Sequence, residues 1–285
     1  MLSSPHGANS AVLRCYILHD AHLLSLRIWE QFYKYKIDSE IKAFRSGKAF
    51  GKFQNMLSDY PAANLFETIP HFHDTPSRYE ALKKAVKDNL SGRLQSVKNE
   101  LSFALDREMD ASKLVDLAAE DKIPMRVTHN DTKINNVLFD SITNEAICVI
   151  DLDTIMPGLS LYDFGDSIRS GAVTSDENEQ DLDKYGLDIA LFKSYTEGFL
   201  SEAGHALNDE EIANLAFSAK LMTLECGVRF LTDYLNGDTY FKTDYPEHNL
   251  VRCRTQFKLV EDIEKHLDEM NACVDEIYRR SLIEG

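Results

Sequence analysis

Long apolar runs are absent from this 285-residue sequence. Ala11 to Leu18 is apolar but interrupted by Arg14, and the opening MLSSPHGANS has no basic region leading into an apolar stretch. Neither a membrane span nor a signal peptide is expected. Positive charge is also short, with Lys+Arg 31 against Asp+Glu 47 and a net charge of −16. A surface of that sign repels nucleic-acid phosphates and anionic membranes, so neither is an expected partner. Cysteine is sparse and odd in number: Cys15, Cys148, Cys226, Cys253 and Cys273 are scattered, with no metal-ligand spacing. Reduced thiols in a cytoplasm are the reading that follows. Repeats and low-complexity linkers are missing too, and no G-x-G-x-x-G hairpin exists, since the early glycines are Gly7, Gly47 and Gly51.

What is present has the balance of an ordinary globular protein, 44% hydrophobic and 27% charged. A chain of this length can bury a large core, as one big domain or two small ones. The stretch that organises it runs from Val127 to Ser170. There His129-Asn130-Asp131-Thr132-Lys133-Ile134-Asn135-Asn136 sets an Asp five residues before an Asn, with a Lys two residues after the Asp. A phosphoryl acceptor hydroxyl needs a carboxylate to orient it and take its proton, and a nucleotide's Mg²⁺ needs oxygen ligands nearby. Asp131 fits the first role and Asn136 the second, while Lys133 is placed to offset charge on a moving phosphoryl group.

The apolar run ending at Phe139, a turn at 141–145 and the run Ala146 to Ile150 predict a β-hairpin, closed by Asp151-Leu152-Asp153. Asp151 then stands where a second metal-binding carboxylate is needed. Each residue alone has a bland reading, because a lone Asp after a strand is usually a turn or cap residue. The constellation carries the inference: base, Lys, amide and strand-end Asp occur in kinase order within about twenty residues.

H-x-D-x-x-x-x-N, then I-D-x-D, then Tyr162-Asp163-Phe164-Gly165-Asp166 together resemble the aminoglycoside phosphotransferase and choline kinase group. Within that group the details THNDTKINN, IDLDTIMPG and YDFGDSIR look closer to N-acetylhexosamine 1-kinases, over about Gly47 to the C-terminus. That resemblance implies an α+β, mainly α-helical fold, the protein-kinase-like (aminoglycoside phosphotransferase-type) C-terminal lobe with a small catalytic β-hairpin. It implies ATP and Mg²⁺, and phosphorylation of the anomeric hydroxyl of N-acetylglucosamine or N-acetylgalactosamine. Kinases of this group also carry an N-terminal lobe with a glycine-rich hairpin and a phosphate-gripping strand Lys. Neither is found, and Lys34 and Lys36 are not assigned to that role. Residues 1–36 are therefore expected to be a residual N-lobe, hinge or irregular segment, and 37–285 the catalytic and sugar-binding lobe. An apolar face left without that N-lobe would favour self-association.

Elsewhere the pattern is helical. Ile41, Phe44, Phe50, Phe53 and Leu57 share a face after a cap at Asp38 or Ser39. The loop Ile69 to Pro76 holds His71 and His73; a metal site lacks a third ligand, so packing is favoured over a place beside the substrate cleft. Helices are expected after Pro76, through Leu90, Leu94, Val97, Leu101 and Leu105, and from Asp110 through Leu117. Met125 to Thr128 should be the strand feeding the catalytic loop, and Pro157-Gly158 a turn. Asp163 is expected to cap a helix or bind the catalytic-loop backbone, with His129 and Asp153 also supporting the site, and Arg169 to meet a carboxylate. The acidic run Asp176 to Asp183 reads as a solvated loop. Long helices follow over Asp188 to Leu200, Asp209 to Leu235 and the stretch to about Ile283.

Arg229, on a helix of mostly apolar residues, is costly to bury unpaired. Its own context favours a salt bridge. The resemblance instead implies that Arg229 and Tyr240 contact the sugar, for which a guanidinium and a phenol are suited. Two alternatives stand beside the sugar 1-kinase reading: a kinase for another small alcohol, and a catalytically impaired kinase-like protein that acts by binding.

Overall fold

The computed structural model describes residues 37–140 and 142–284. The expectation that residues 1–36 form a residual N-lobe, hinge or irregular segment lies outside the described residues. The first apolar stripe forms α1 (Glu40–Met56), which buries Phe50 and Phe53, with Leu57 buried at its end. Ile41, expected on that face, is exposed. Ser39 holds the N-cap position without a side-chain hydrogen bond, and Asp38 pairs with Lys42 at 2.8 Å.

Asp74 caps α2 (Thr75–Asp88), accepting the Ser77 N–H at 3.0 Å, with Pro76 in the first turn where its missing donor is harmless. The helix expected through Leu90 is shorter. Asn89 and Gly92 take positive φ, turning the chain, and α3 spans Lys98–Leu105 before α4 (Lys113–Ala119).

The four described strands are short: β1 (Arg126–Thr128), β2 (Val137–Phe139), β3 (Ala146–Val149) and β4 (Met156–Gly158). They form two antiparallel pairs, β1 with β4 and the expected hairpin β2 with β3. Pro157-Gly158 is thus strand rather than turn. Pro lacks the ladder donor, which a two-stranded edge tolerates, and a Cβ at Gly158 would collide with the Thr128 hydroxyl. Register places Thr128 opposite Met156 and Val137 opposite Val149. Both loops that carry candidate chemistry therefore emerge from neighbouring strand ends.

The helical body follows with α5 (Ser160–Gly171), α6 (Ile189–Ala203), α7 (Asp209–Ala213), α8 (Leu215–Asn236) and α9 (His248–Glu284). The single helix expected over Asp209 to Leu235 is two, broken at Asn214, whose φ of −108° and ψ of 7° leave the helical region. A capping box between Asn208 and Glu211 starts α7. Glu211 is buried there and binds Arg126 at 2.7 Å and Ser160 at 2.6 Å, tying β1 and α5 to this break.

Buried side chains of α1, α5, α6 and α8 make one large core around Phe164, Phe192 and Phe199. A second cluster joins Tyr79 and Leu82 to Leu224, Val228 and Leu231 of α8 and to Val260 of α9. Among the described residues no helix is long and apolar enough to cross a membrane.

Candidate active site

Asp163, fully buried near the start of α5, sets the catalytic loop. Its Oδ2 accepts the His129 N–H at 2.9 Å and Gln54 Nε2 at 2.9 Å, and its Oδ1 accepts the Asn130 N–H at 2.7 Å. Burial pushes its pKa up, against the His129 ring and these donors. With donors at both oxygens and, among the described residues, no acceptor paired to either, the group stands as a carboxylate. Asn130 adopts φ 64°, the left-handed region that Asn tolerates. Its side chain donates to the Thr154 carbonyl at 3.0 Å, joining this loop to the one after β3.

The His129 ring lies edge-on to Phe50 and Phe53 of α1, with centroids at 5.6 and 5.8 Å. Its Nε2 donates to the Ile150 carbonyl at 2.9 Å while Nδ1 accepts the Asp131 N–H at 3.3 Å. One ring thus fixes the residue before Asp151 and the backbone of Asp131.

Between these anchors, Asn136 Nδ2 donates to the Asp131 carbonyl at 2.7 Å and to its carboxylate at 3.0 Å. Lys133 Nζ meets the other Asp131 oxygen at 2.6 Å. Burial would lower the Lys133 pKa, but Asp131 and Asp166 hold it above its usual value, so the ammonium is charged. The Ile150 N–H donates to the Asn136 carbonyl at 2.8 Å, bringing Asp151 alongside Asn136. Asp151 is exposed at φ 61°. Asn136 commits its amide nitrogen to Asp131, which turns its oxygen over to other partners. An amide oxygen and an exposed carboxylate are hard donors, the set Mg²⁺ takes together with water and phosphate oxygens. No group of three or more His, Cys, Asp and Glu arranged for a metal exists among the described residues. Asp153 is exposed, in the turn after Asp151.

A second layer surrounds Lys133. Asp166 accepts the Thr132 N–H at 3.1 Å and pairs with Arg169 at 2.8 Å, and Arg169 reaches Glu177 at 3.1 Å. Burial works against the Asp166 charge, but Arg169, Lys133 and His73 outweigh it and lower its pKa. The acidic run is accordingly tethered as well as solvated: the Glu177 carbonyl accepts the Thr255 hydroxyl at 2.9 Å, and Asn178 Oδ1 lies 2.6 Å from His248. A cavity of about 230 Å³ opens here, lined among others by Lys133, Arg169, Glu177 and Tyr185.

Arg229 corrects the salt-bridge expectation. Its guanidinium lies 5.6 Å from the centroids of both Phe72 and Phe241, and no carboxylate pairs with it among the described residues. Arg78 stands nearby, donating to the His71 and Phe72 carbonyls at 2.8 and 2.7 Å; burial and Arg229 together lower its pKa. Tyr240 is 72% exposed and packs edge-on to Phe241 at 4.8 Å. Asp233 orders this turn by accepting the N–H groups of Thr239, Tyr240 and Phe241.

The structure thus joins Asp131, Lys133, Asn136, Asp151, His129 and Asp163 through directly bonded loops, and groups Arg229 with Tyr240 through Phe241. The sequence reading gave no role to Gln54, Asp166 or Glu225, and it favoured packing for His73 without a partner; the structure pairs His73 with Glu225 at 3.0 Å. For Glu225 a signal existed, an acid one turn before Arg229 on a mostly apolar helix. For Gln54 there was none.

A sequence model of the phosphotransferase enzyme family matches residues 30–193, more than half of the chain. Among solved structures, an ethanolamine kinase from Plasmodium vivax is similar at 12% identity and TM-score 0.52, over 89% of this chain and 71% of that one. A choline kinase from Cryptosporidium parvum is 14% identical at TM-score 0.47, over 87% of this chain and 73% of that one. An ADP-bound aminoglycoside phosphotransferase is 15% identical at TM-score 0.43, over 83% and 69%.

Proposed function

Because the chain belongs to the phosphotransferase enzyme family, we propose that it moves a phosphoryl group from ATP to a hydroxyl of a small sugar, the anomeric hydroxyl of an N-acetylhexosamine. The observation that carries phosphoryl transfer is the Asp131 carboxylate, held between Asn136 Nδ2 at 3.0 Å and Lys133 Nζ at 2.6 Å on a loop fixed by Asp163. Asp131 orients the acceptor hydroxyl and takes its proton. Lys133 exchanges its pairing with Asp131 for the developing charge on the transferred group. Asn136 and Asp151 would hold Mg²⁺, which when bound neutralises charge on the nucleotide phosphates. His129 and Asp163 keep these groups in register, and residues 37–285 carry both the catalytic and the sugar-binding parts.

The sugar acceptor rests on Arg229. Flanked by two phenylalanine rings and paired with no carboxylate among the described residues, it is suited to donate N–H groups to hydroxyl and acetamido oxygens. Tyr240 adds a phenol beside it.

An amino-alcohol acceptor is the second reading, favoured by the fold shared with an ethanolamine kinase. A cationic substrate needs an aromatic and acidic cage. Here the aromatic pair is taken by Arg229 itself, and the nearby acid Glu225 is engaged by His73 and Thr75. The deciding experiment offers Mg²⁺-ATP with N-acetylglucosamine, N-acetylgalactosamine, choline and ethanolamine separately, and follows product by ³¹P NMR. An anomeric sugar phosphate supports the first reading. Phosphocholine or phosphoethanolamine, with the sugars inert, replaces it with the second.

A further inference from the structure

His73 lies on the loop before α2, which the sequence marks only by its paired histidines. Its side chain is 7% exposed, and both ring nitrogens have partners that accept. Nδ1 lies 3.0 Å from Glu225 Oε1, and Nε2 lies 3.1 Å from the Asn130 carbonyl. A carbonyl oxygen cannot donate, and the second Glu225 oxygen already accepts the Thr75 hydroxyl at 2.6 Å. A neutral imidazole has one N–H and serves one acceptor; serving both takes the imidazolium. The two partners sit on different functional parts. Glu225 is one helical turn before Arg229 on α8, and Asn130 directly precedes Asp131.

We propose that His73, as an imidazolium, is a positioning residue that straps the Arg229-bearing helix to the peptide before Asp131, so that acceptor contact and base are held at one spacing. This rests on the phosphotransfer reading, with Asp131 as base. The strap acts on the peptide between Asn130 and Asp131 from the acceptor side, while Asp163 holds the preceding peptide from the core through the Asn130 N–H at 2.7 Å. Asn130 is thus gripped at both its backbone polar groups, which lie in consecutive peptides. Loss of the His73 proton releases one of them.

The surroundings support the charge. Burial would strip the proton, but Glu225 on α8 outweighs it with help from Asp166 on α5, and the His73 pKa is raised. The other charged or titratable groups nearby are Arg229 on α8, Arg78 on α2, Tyr162 on α5 and Asp74 at the α2 cap. The Tyr162 ring lies 5.3 Å from the imidazole and, held neutral by burial, adds no charge near neutral pH. Glu225 is also kept ionised: burial opposes its charge, and His73 and Arg229 overcome it.

The test uses the full chain and two variants, His73→Gln and Glu225→Gln. Imidazole and amide NMR resonances are followed from about pH 6 to 10 beside steady-state kinetics with Mg²⁺-ATP and N-acetylglucosamine. The wild-type His73 ring should titrate above the ordinary imidazole value of about 6.5, and the Asp131 amide should shift as it does. Glu225→Gln keeps an acceptor but removes the charge, so it should move that titration and the alkaline limb of kcat together to lower pH. His73→Gln should lower kcat about tenfold or more, with KM for ATP unchanged, as misplacement of a reacting group does. A wild-type ring that is already neutral at about pH 6.5 overturns the proposal, and so does an Asp131 amide blind to the titration. Both readouts stand if turnover is absent, an outcome that sinks the phosphotransfer reading instead. If His73→Gln does not fold, Glu225→Gln decides: an unmoved alkaline limb overturns the strap.

Discussion

At Asp163 the carboxylate accepts the backbone N–H groups of two consecutive residues, His129 and Asn130, at 2.9 and 2.7 Å. Replacing it by Asn would set an amide N–H₂ against those donors. Asp163→Asn should therefore lose roughly 2–3 kcal/mol of stability, the scale of hydrogen bonds to a charged group, and nearly all turnover. Chemical denaturation beside a rate assay checks both. The pair His73 and Glu225 has a pH signature of its own. The His73 pKa is raised, so its contribution to stability is complete below about pH 6.5 and disappears as pH climbs through the raised value. The Glu225 pKa is lowered, so its contribution is complete above about pH 4.5 and disappears as pH falls through the lowered value. Thermal unfolding across pH should show a plateau between these limits, and Glu225→Ala should erase its acid edge, which is the titration of Glu225 itself, and move its alkaline edge to lower pH, because His73 loses the charge that raises its pKa. That variant should also cost about 3–5 kcal/mol near neutrality, because it strands a buried charge.

The elements are held by close backbone approach as much as by side chains. α1 crosses α6 where Gly47 faces the Tyr195 carbonyl and Gly198 faces the Phe44 carbonyl, and a Cβ at either would strike backbone. Gly198→Ala should destabilise by about 1–3 kcal/mol or more, measured by denaturant midpoint, since neither helix backbone can yield as a flexible side chain would. The same crossing shows what the sequence made legible. The stripe Phe50, Phe53 and Leu57 marked the buried face of α1, yet Gly47 and Gly51 could be judged only by the phosphate hairpin they failed to form. The catalytic hairpin was readable because two apolar runs flank polar turn residues. β4 was not, because a three-residue strand has too little periodicity to outweigh Pro-Gly. The break at Asn214 was hidden in an unbroken apolar pattern, since what interrupts the helix is an anchor, Glu211, bound to Arg126 from a distant strand. Arg229 posed a different problem. A cation on a mostly apolar helix implies a partner, and here the neighbours are aromatic rings supplied by remote loops.

Across the whole molecule a net charge of −16 coexists with a concentration of cations around the candidate site: Lys133, Arg169, Arg78 and Arg229. Local charge of this kind, rather than the overall sign, would govern the binding of an anionic nucleotide. The loops that carry Asp131 and Asp151 emerge from two small antiparallel pairs, and the helical body locks both through Asp163 and the His129 ring. Phosphoryl transfer is mostly positioning and electrostatics, so such a scaffold is where its rate enhancement would originate. The most direct test is ADP release from Mg²⁺-ATP in the presence and absence of N-acetylglucosamine or N-acetylgalactosamine, comparing the wild-type chain with Asp131→Asn. The account predicts release that requires the sugar and falls by about two to four powers of ten in the variant, the loss of a general base. Sugar-independent release, or a folded Asp131→Asn protein as fast as the wild type, would contradict it.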